Sequence, residues 1–533
     1  MTRTICDHPH ECGQLRTRCF IVLAVLSAIA CRGGDSSPTR RTIVDSRDNY
    51  DPRSLDPSKS TDVPTGRAVG YLFDGLTRFT PDARVTPALA TRWEISADGR
   101  TYTFHLRGGV KFHNGTPFVA RNVQHSFERV LDPRERGGRG WPLYPIQGAR
   151  EFADGKAKSI SGLQPKDDST IVITLGETMP IFPKLLAMPV AAIVPDSTPT
   201  DFGEKPVGTG PWKFVEWKHD DYVKFARNDQ YWAGRAASES LMARVIPEPS
   251  TTVAEFESGN VDIIQVPESD TKQWENTDER SANLVSAPGL RLFYMALNTT
   301  RGPLTDVRVR QAINYAVDKQ TILDQIVGGR GIVAGGVIPP ALEGSDTARR
   351  YAYDTTKAKQ LLAESGHPNG AGVALQLWVG QTPPFPRLAE AIQSYLTAVG
   401  IKTTIVQREA AAAREASRKG ETDLHVKDWF ADYPDAENFL YPLLHSANRG
   451  VGGNVSFYSN PNFDKVVDQA RREQEDARRV ELYKQADAIA FQDAPMLFLF
   501  FYKDLNAVQP WIRGYQLPSI LNGQDMRGVS IQR

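Results

Sequence analysis

Beyond residue 31 this 533-residue chain contains no cysteine; all four (Cys6, Cys12, Cys19 and Cys31) lie in the first 31 positions. The folded body therefore has no disulfide, no thiolate zinc site, no iron–sulfur cluster and no cysteine nucleophile. An excess of one charge is also missing, with 63 Lys+Arg against 63 Asp+Glu. That removes the basic surplus of a general nucleic-acid binder. After residue 31 no apolar run approaches the roughly 20 residues a membrane helix needs, and the run 496–501 is of strand length. No H-E-x-x-H, P-loop, G-x-S-x-G elbow or dinucleotide fingerprint occurs. Neither a fixed-period repeat nor a low-complexity tract is apparent. What is present is an ordinary soluble composition, 40% hydrophobic and 24% charged. The chain is too long for one core, so two or more domains are expected.

The N-terminus reads as an export signal. Arg16 and Arg18 precede a short apolar core, residues 20–30, which ends in small residues before Cys31. Two cleavage readings stand: an A-x-A site at residues 28–30 for ordinary secretion, or a lipobox in which Cys31 is lipidated. Ala28, where leucine is usual, speaks against the lipobox. The otherwise lone thiol and the polar, glycine-containing stretch after it speak for it. Cys6, His8, His10 and Cys12 have a metal-like spacing but fall in the leader. Residues 1–30 carry three arginines against two acids, so their removal changes the net charge from zero to −1.

Strand and helix signals alternate, which indicates a mixed α/β fold. Residues 101–107 alternate with period two after the turn signal at residues 97–99. Residues 110–113 continue that pattern, and Asn114-Gly115 forms the next turn. A helix is expected from 119 to 131 with Val123, Phe127 and Val130 on one face, and a strand over 171–175. Thr305-Asp306 can cap a helix whose apolar positions Val309, Ala312, Ile313, Ala316 and Val317 follow helical spacing. Another helix runs through Leu388, Ile392, Tyr395, Leu396 and Val399 to Gly400, with a strand at 401–406. Residues 463–491 form a helical pair. His105 and His113 lie on strand segments with no further metal donors marked by spacing, which favours packing or hydrogen bonding. Nothing points to a catalyst, so binding is the default activity, with no cofactor and no metal.

Several ordered blocks carry a resemblance. They are LDP (55–57), GYLFDGL (70–76), PALA (87–90), WEISADGRTYTFHLR (93–107), VKFHNGTP (110–117), PVGTGPWKF (206–214) and NDQYW (228–232). GNVDI (259–263), Asn298-Thr299, DVRVRQAINYAVD (306–318), WFADYPD (429–435) and DAP (493–495) follow. Together they resemble the extracytoplasmic solute-binding proteins of family 5, which serve ATP-binding-cassette importers for peptides, nickel and other solutes. The resemblance implies a two-lobed, hinge-closing periplasmic-binding-protein fold of type II, with an extra α/β domain inserted in the first lobe. Lobe I would be 41–76, 207–288 and 500–533, the inserted domain 77–206, and lobe II 289–499. Residues 1–30 would be the signal peptide and 31–40 the lipidated cysteine with its tether.

The resemblance further implies that Asp432 faces the cleft and accepts a peptide's α-ammonium group. The alternative is a turn cap before Pro434. Trp429, Phe430 and Tyr433 are candidates for lining side-chain pockets or for core. Asp435 and Glu437 read as the start of a helix and stay outside the site. Some oligopeptide binders carry an arginine three positions before the tryptophan; Val426 stands there, and Lys427 would point to the other face of a strand. The implied partners are a short peptide, the importer's permease subunits and, through Cys31, a membrane. No nucleic acid and no second copy of the chain is implied. Rival readings are a metal chelate, haem or oligosaccharide as solute, a sensory lipoprotein without a transporter, and an enzyme on a borrowed binding fold.

Overall fold

The protein is described from a computed structural model covering residues 41–135, 139–520 and 523–532. The leader, Cys31 and the tether to residue 40 lie outside the described residues.

Strands in chain order are β1 (Thr42–Ser46), β2 (Thr77–Phe79), β3 (Val85–Pro87), β4 (Ala90–Ile95), β5 (Thr101–Leu106), β6 (Leu163–Asp167) and β7 (Thr170–Thr174). They continue with β8 (Trp212–Lys218), β9 (Tyr222–Arg227), β10 (Ser240–Arg244), β11 (Ile263–Gln265), β12 (Leu284–Leu297) and β13 (Gly331–Val333). The last are β14 (Ala374–Gly380), β15 (Lys402–Arg408), β16 (Leu424–Phe430) and β17 (Met496–Val508).

One eleven-stranded sheet runs in the order β15-β14-β16-β12-β17-β11-β1-β10-β9-β8, with β13 added against β17. A separate four-stranded sheet, β4-β5-β7-β6, builds the inserted domain. The two lobes are joined through β12 and β17, which have 14 and 13 residues. The first half of β12 pairs with the second half of β17, beside β11. The second half of β12 pairs with β16. Between the halves the β12–β17 register shifts, from Pro288 to Leu292. The sequence suggested a strand of about six residues at 496–501; its polar continuation through Lys503, Asp504 and Asn506 hid the remainder.

Four cores hold these layers, three large ones and a smaller one that includes Val44, Phe256, Ile264, Trp274 and Leu505. Ile43, Val69, Trp212, Phe225, Leu241 and Ile263 pack under lobe I. Phe293, Leu377, Leu388, Ile392, Leu424 and Val426 pack in lobe II. The third joins Phe104, Phe127, Ile171 and Phe182 of the inserted domain to Phe439, Phe463 and Phe498 of lobe II.

The helical readings at 119–131, 306–317, 388–400 and 463–491 correspond to helices Ala120–Leu131, Val307–Ala316, Phe385–Ala398 and the pair Pro461–Arg472 and Asp476–Asp493. Asp306 accepts the Arg308 N–H at 2.8 Å, as a cap should. The stretch 110–113 departs from expectation, because Lys111 makes only a lone bridge to Pro117. Gly109, at φ +76°, turns the chain. The Phe112 N–H then bonds to Thr116 O and the Gly115 N–H to Phe112 O, both at 2.8 Å. These groups are spent in a local loop and leave no ladder.

That loop locks onto the block at 206–214. Gly208 N–H donates to His113 Nδ1 at 3.2 Å, and His113 Nε2 reaches Gly210 O at 3.0 Å. A Cβ on Gly208 would lie 2.0 Å from the Leu72 carbonyl oxygen, and one on Gly210 2.5 Å from the carbonyl carbon. Close approach of backbone to backbone is what demands glycine at both positions.

Candidate interlobe binding site

β16 brings the site residues into place. Along its whole length it pairs with β12, but β14 accompanies it only through Val426. From Lys427 onward β16 has an edge with no strand beside it among the described residues. Main-chain groups on such an edge can pair with an extended peptide.

Past Phe430 the chain leaves the sheet in a tightly held loop. Ala431 N–H donates to Leu290 O and Asp432 N–H to Asn438 Oδ1, each at 2.8 Å. Asp435 Oδ1 accepts the Glu437 N–H at 3.0 Å, starting the helix Glu437–Leu444 as the sequence suggested. Asp435 also has a second role. Lys184, from the inserted domain, donates to its Oδ2 at 2.5 Å and to Pro434 O at 3.0 Å. Burial pushes the Asp435 carboxyl up, but Lys184, together with the Glu437 N–H and Tyr483, more than offsets this and holds it below the ordinary aspartate range. Glu437 accepts from Arg471 at 2.8 Å.

The loop presents Asp432 with its side chain 17% exposed. Arg139, which follows the helix Ala120–Leu131, donates to both its oxygens, at 3.0 Å to Oδ1 and 3.1 Å to Oδ2. Burial raises the Asp432 carboxyl above its ordinary value, and Arg139 pulls it back in part. A carboxylate on a fixed backbone is thus already engaged by a planar cation, the geometry of strong charge-assisted pairing. The sequence resemblance singles out Asp432 as a candidate but says nothing of Arg139. The two lie 293 positions apart, and no local pattern marks the arginine.

The aromatic candidates divide. Phe430 is 36% exposed, and the Arg291 guanidinium sits 4.2 Å from its ring centre while bonding to Asp428 at 2.7 Å. Trp429 is half-buried and its Nε1 has no partner among the described residues. Tyr433 is buried, bonded to Glu437 and packed against Trp141 at 6.0 Å between ring centres. Val426 is buried in the lobe II core, whereas Lys427 lies on the opposite face, paired across the ladder with Tyr294.

Among the described residues no group of three or more His, Cys, Asp or Glu is placed to hold a metal ion. No described helix is long and apolar enough to cross a membrane.

Known proteins share this architecture over most of their length. The chain is 34% identical over 455 residues to heme-binding protein A of Haemophilus influenzae, covering 81% of each chain. To the dipeptide-binding protein of Escherichia coli it is 31% identical over 471 residues, covering 84% of this chain and 86% of that one. Among solved structures, HbpA2 from Haemophilus parasuis superposes with a TM-score of 0.81 at 30% identity, covering 92% of this chain and all of that one. The periplasmic binding protein DppA of Helicobacter pylori, in complex with the peptide STSA, gives 0.76 at 29% identity over 92% and 98% of the two chains. The family model described as bacterial extracellular solute-binding proteins, family 5 (middle), matches residues 84–451. By its fold and these matches together, the chain belongs to the family 5 bacterial extracellular solute-binding proteins.

Proposed function

We propose that this protein captures short peptides with a free amino terminus in the interlobe cleft and delivers them to the permease of an ABC importer. The observation that carries the reading is Asp432, a fixed carboxylate beyond the open edge of β16 that already holds a cationic group. A peptide's α-ammonium is a second cation suited to that position, and its backbone suits the unaccompanied strand edge. Trp429 and Phe430 would contact its side chains. The relatives named for dipeptide and STSA binding add support. In this reading the lobes divide at 41–76, 77–206, 207–288, 289–499 and 500–533, the leader is removed, and Cys31 carries the lipid that holds a monomer at the membrane surface. Mass measurement of the mature N-terminus tests the lipid.

Asp432→Ala should weaken binding of a free-amine peptide by about a hundredfold, the scale of losing one partner of a buried ion pair. Calorimetry that finds the variant unimpaired, or an N-acetylated peptide bound as well as the free one, would sink the assignment. Haem is the second reading, favoured by likeness to the relative named heme-binding protein A. Hemin titration followed by absorbance, with peptide as competitor, separates the two.

A further inference from the structure

Where β12 and β17 cross from one lobe to the other, a carboxylate stands among cations without touching any of them. Asp504 lies on the second half of β17, opposite Ala287 and beside the break in the ladder between Pro288 and Leu292. Gly289 makes room for it, since a Cβ there would lie 3.0 Å from Asp504 Oδ2. The half-buried side chain has no hydrogen bond and no ion pair among the described residues, and burial pushes its carboxyl up. Arg291, Arg330 and Arg67 pull it back only in part.

Each of these arginines is held elsewhere. Arg67, on the helix Val63–Leu72, lies 3.5 Å from Asp48. Arg330 donates from Nη1 to Val266 O at 2.7 Å. Arg291 bonds to Asp428 at 2.7 Å, but its surroundings differ from those of the other two. Three rings flank its guanidinium, with centres at 4.2 Å for Phe430, 4.5 Å for Phe293 and 5.2 Å for Tyr502. Cation–π attraction keeps the group over these rings. Tyr502 and Asp504 are two residues apart on β17, about 7 Å along the strand and on the same face. Arg291 is thus flanked by two carboxylates, Asp428 of the site strand and Asp504 of lobe I.

Arg291 belongs to the second half of β12, beside β16, and Asp504 to the half of β17 beside β11. A bond between them would therefore span the crossing and draw the lobes together. We propose that Arg291 is a closure latch, which leaves Asp428 for Asp504 as the lobes rotate and so holds the cleft shut on its ligand. One ion pair breaks as another forms, and charge is conserved. Leaving a buried charge without its partner is strongly unfavourable. Each pairing thus opposes the other, and a ligand tips the balance by favouring one of them. Asp428 and Phe430 stand on the free edge of β16, where the ligand lies in the peptide reading, so an occupied edge loosens the first pairing. Only this last link rests on that reading.

X-ray scattering on the ligand-free protein tests the latch without a ligand. D428N frees Arg291 and should lower the radius of gyration below that of the wild type. D428N/D504N should restore the wild-type radius. An unchanged radius in D428N, or a double variant as compact as D428N, overturns the latch. Calorimetry with tetra-alanine reads the same pair from the ligand's side. D504N removes the closed-state partner and should weaken binding by about tenfold. Binding by D504N as tight as by the wild type overturns the latch. If tetra-alanine does not bind the wild type at all, the peptide reading fails, and the scattering comparison alone decides the latch.

Discussion

Arg139 and an incoming ammonium contend for the same carboxylate. The pair is part-exposed on the arginine side, 40% for Arg139, so it is worth at most about 1 kcal/mol. Arg139→Ala should therefore tighten free-amine peptide binding by about two- to fivefold. Weaker binding in a titration would show instead that Arg139 holds the ligand. Protonation gives an independent reading of the same residue. Only the ionised carboxylate pairs with an ammonium, and burial sets the Asp432 carboxyl above its ordinary 3.8. Affinity measured from neutral pH downward should begin to fall above that value. A loss that sets in only below 3.8 would contradict the placement. The aspartate was legible because its W-x-x-D setting is local. Its arginine was not, since an ion pair between distant positions exists only once the chain has folded.

Local elements were the most legible part of the chain. Period-two alternation placed β5 and β7, and apolar spacing with an aspartate cap placed the helix Val307–Ala316. Residues 110–113 misled because Val110 and Phe112 are buried at alternate positions, as in a strand, while their backbone is committed to a loop. The lock between that loop and the 206–214 block makes two predictions, and the helix Val63–Leu72 that the block packs against makes a third. Gly208→Ala forces a Cβ against the Leu72 carbonyl and should cost about 3 kcal/mol in denaturant unfolding. Gly70, inside the helix Val63–Leu72, meets nothing within 4 Å of a built Cβ, so Gly70→Ala should stabilise by about 0.5–1 kcal/mol. His113 accepts at Nδ1, which only the neutral ring can do, and burial lowers it from 6.5 to about 4. Between those values the unfolded chain binds a proton that the folded one refuses, so stability falls as pH drops from 6.5 to 4. His113→Gln should flatten that slope by one proton's worth, about 1.4 kcal/mol per pH unit. An unchanged slope would mean that the folded ring protonates normally.

At the scale of the molecule, lobe II and the inserted domain are clasped together. Lys184 reaches Asp435, Arg139 reaches Asp432, Arg472 reaches Glu177, and the third core is continuous between them. Asp435 is the most deeply buried acid of these pairs, and stripping its partner leaves a stranded charge worth about 3–5 kcal/mol. Lys184→Met should loosen the clasp in solution, raising the radius of gyration measured by X-ray scattering. An unchanged radius would place the clasp's strength in the apolar contacts alone. The lobes and their α/β character were readable from ordered blocks. The strand order was not, because pairings such as Ile263 with Val508 join residues 245 positions apart, and alternation says nothing about which distant strand lies alongside.

The position of β17 bears on how the chain is made. It lies between β11 and β12 in the middle of the large sheet, yet it is supplied by residues 496–508 of 533. A nascent chain emerging from its N-terminus can form the inserted sheet early, since β4 to β7 are neighbours in sequence. The central sheet has a gap until residues 496–508 arrive, and long-range pairings of this kind close slowly. For most of its synthesis the chain exists as one finished domain and two unfinished lobes with open strand edges, so delivery across a membrane can precede its final folding.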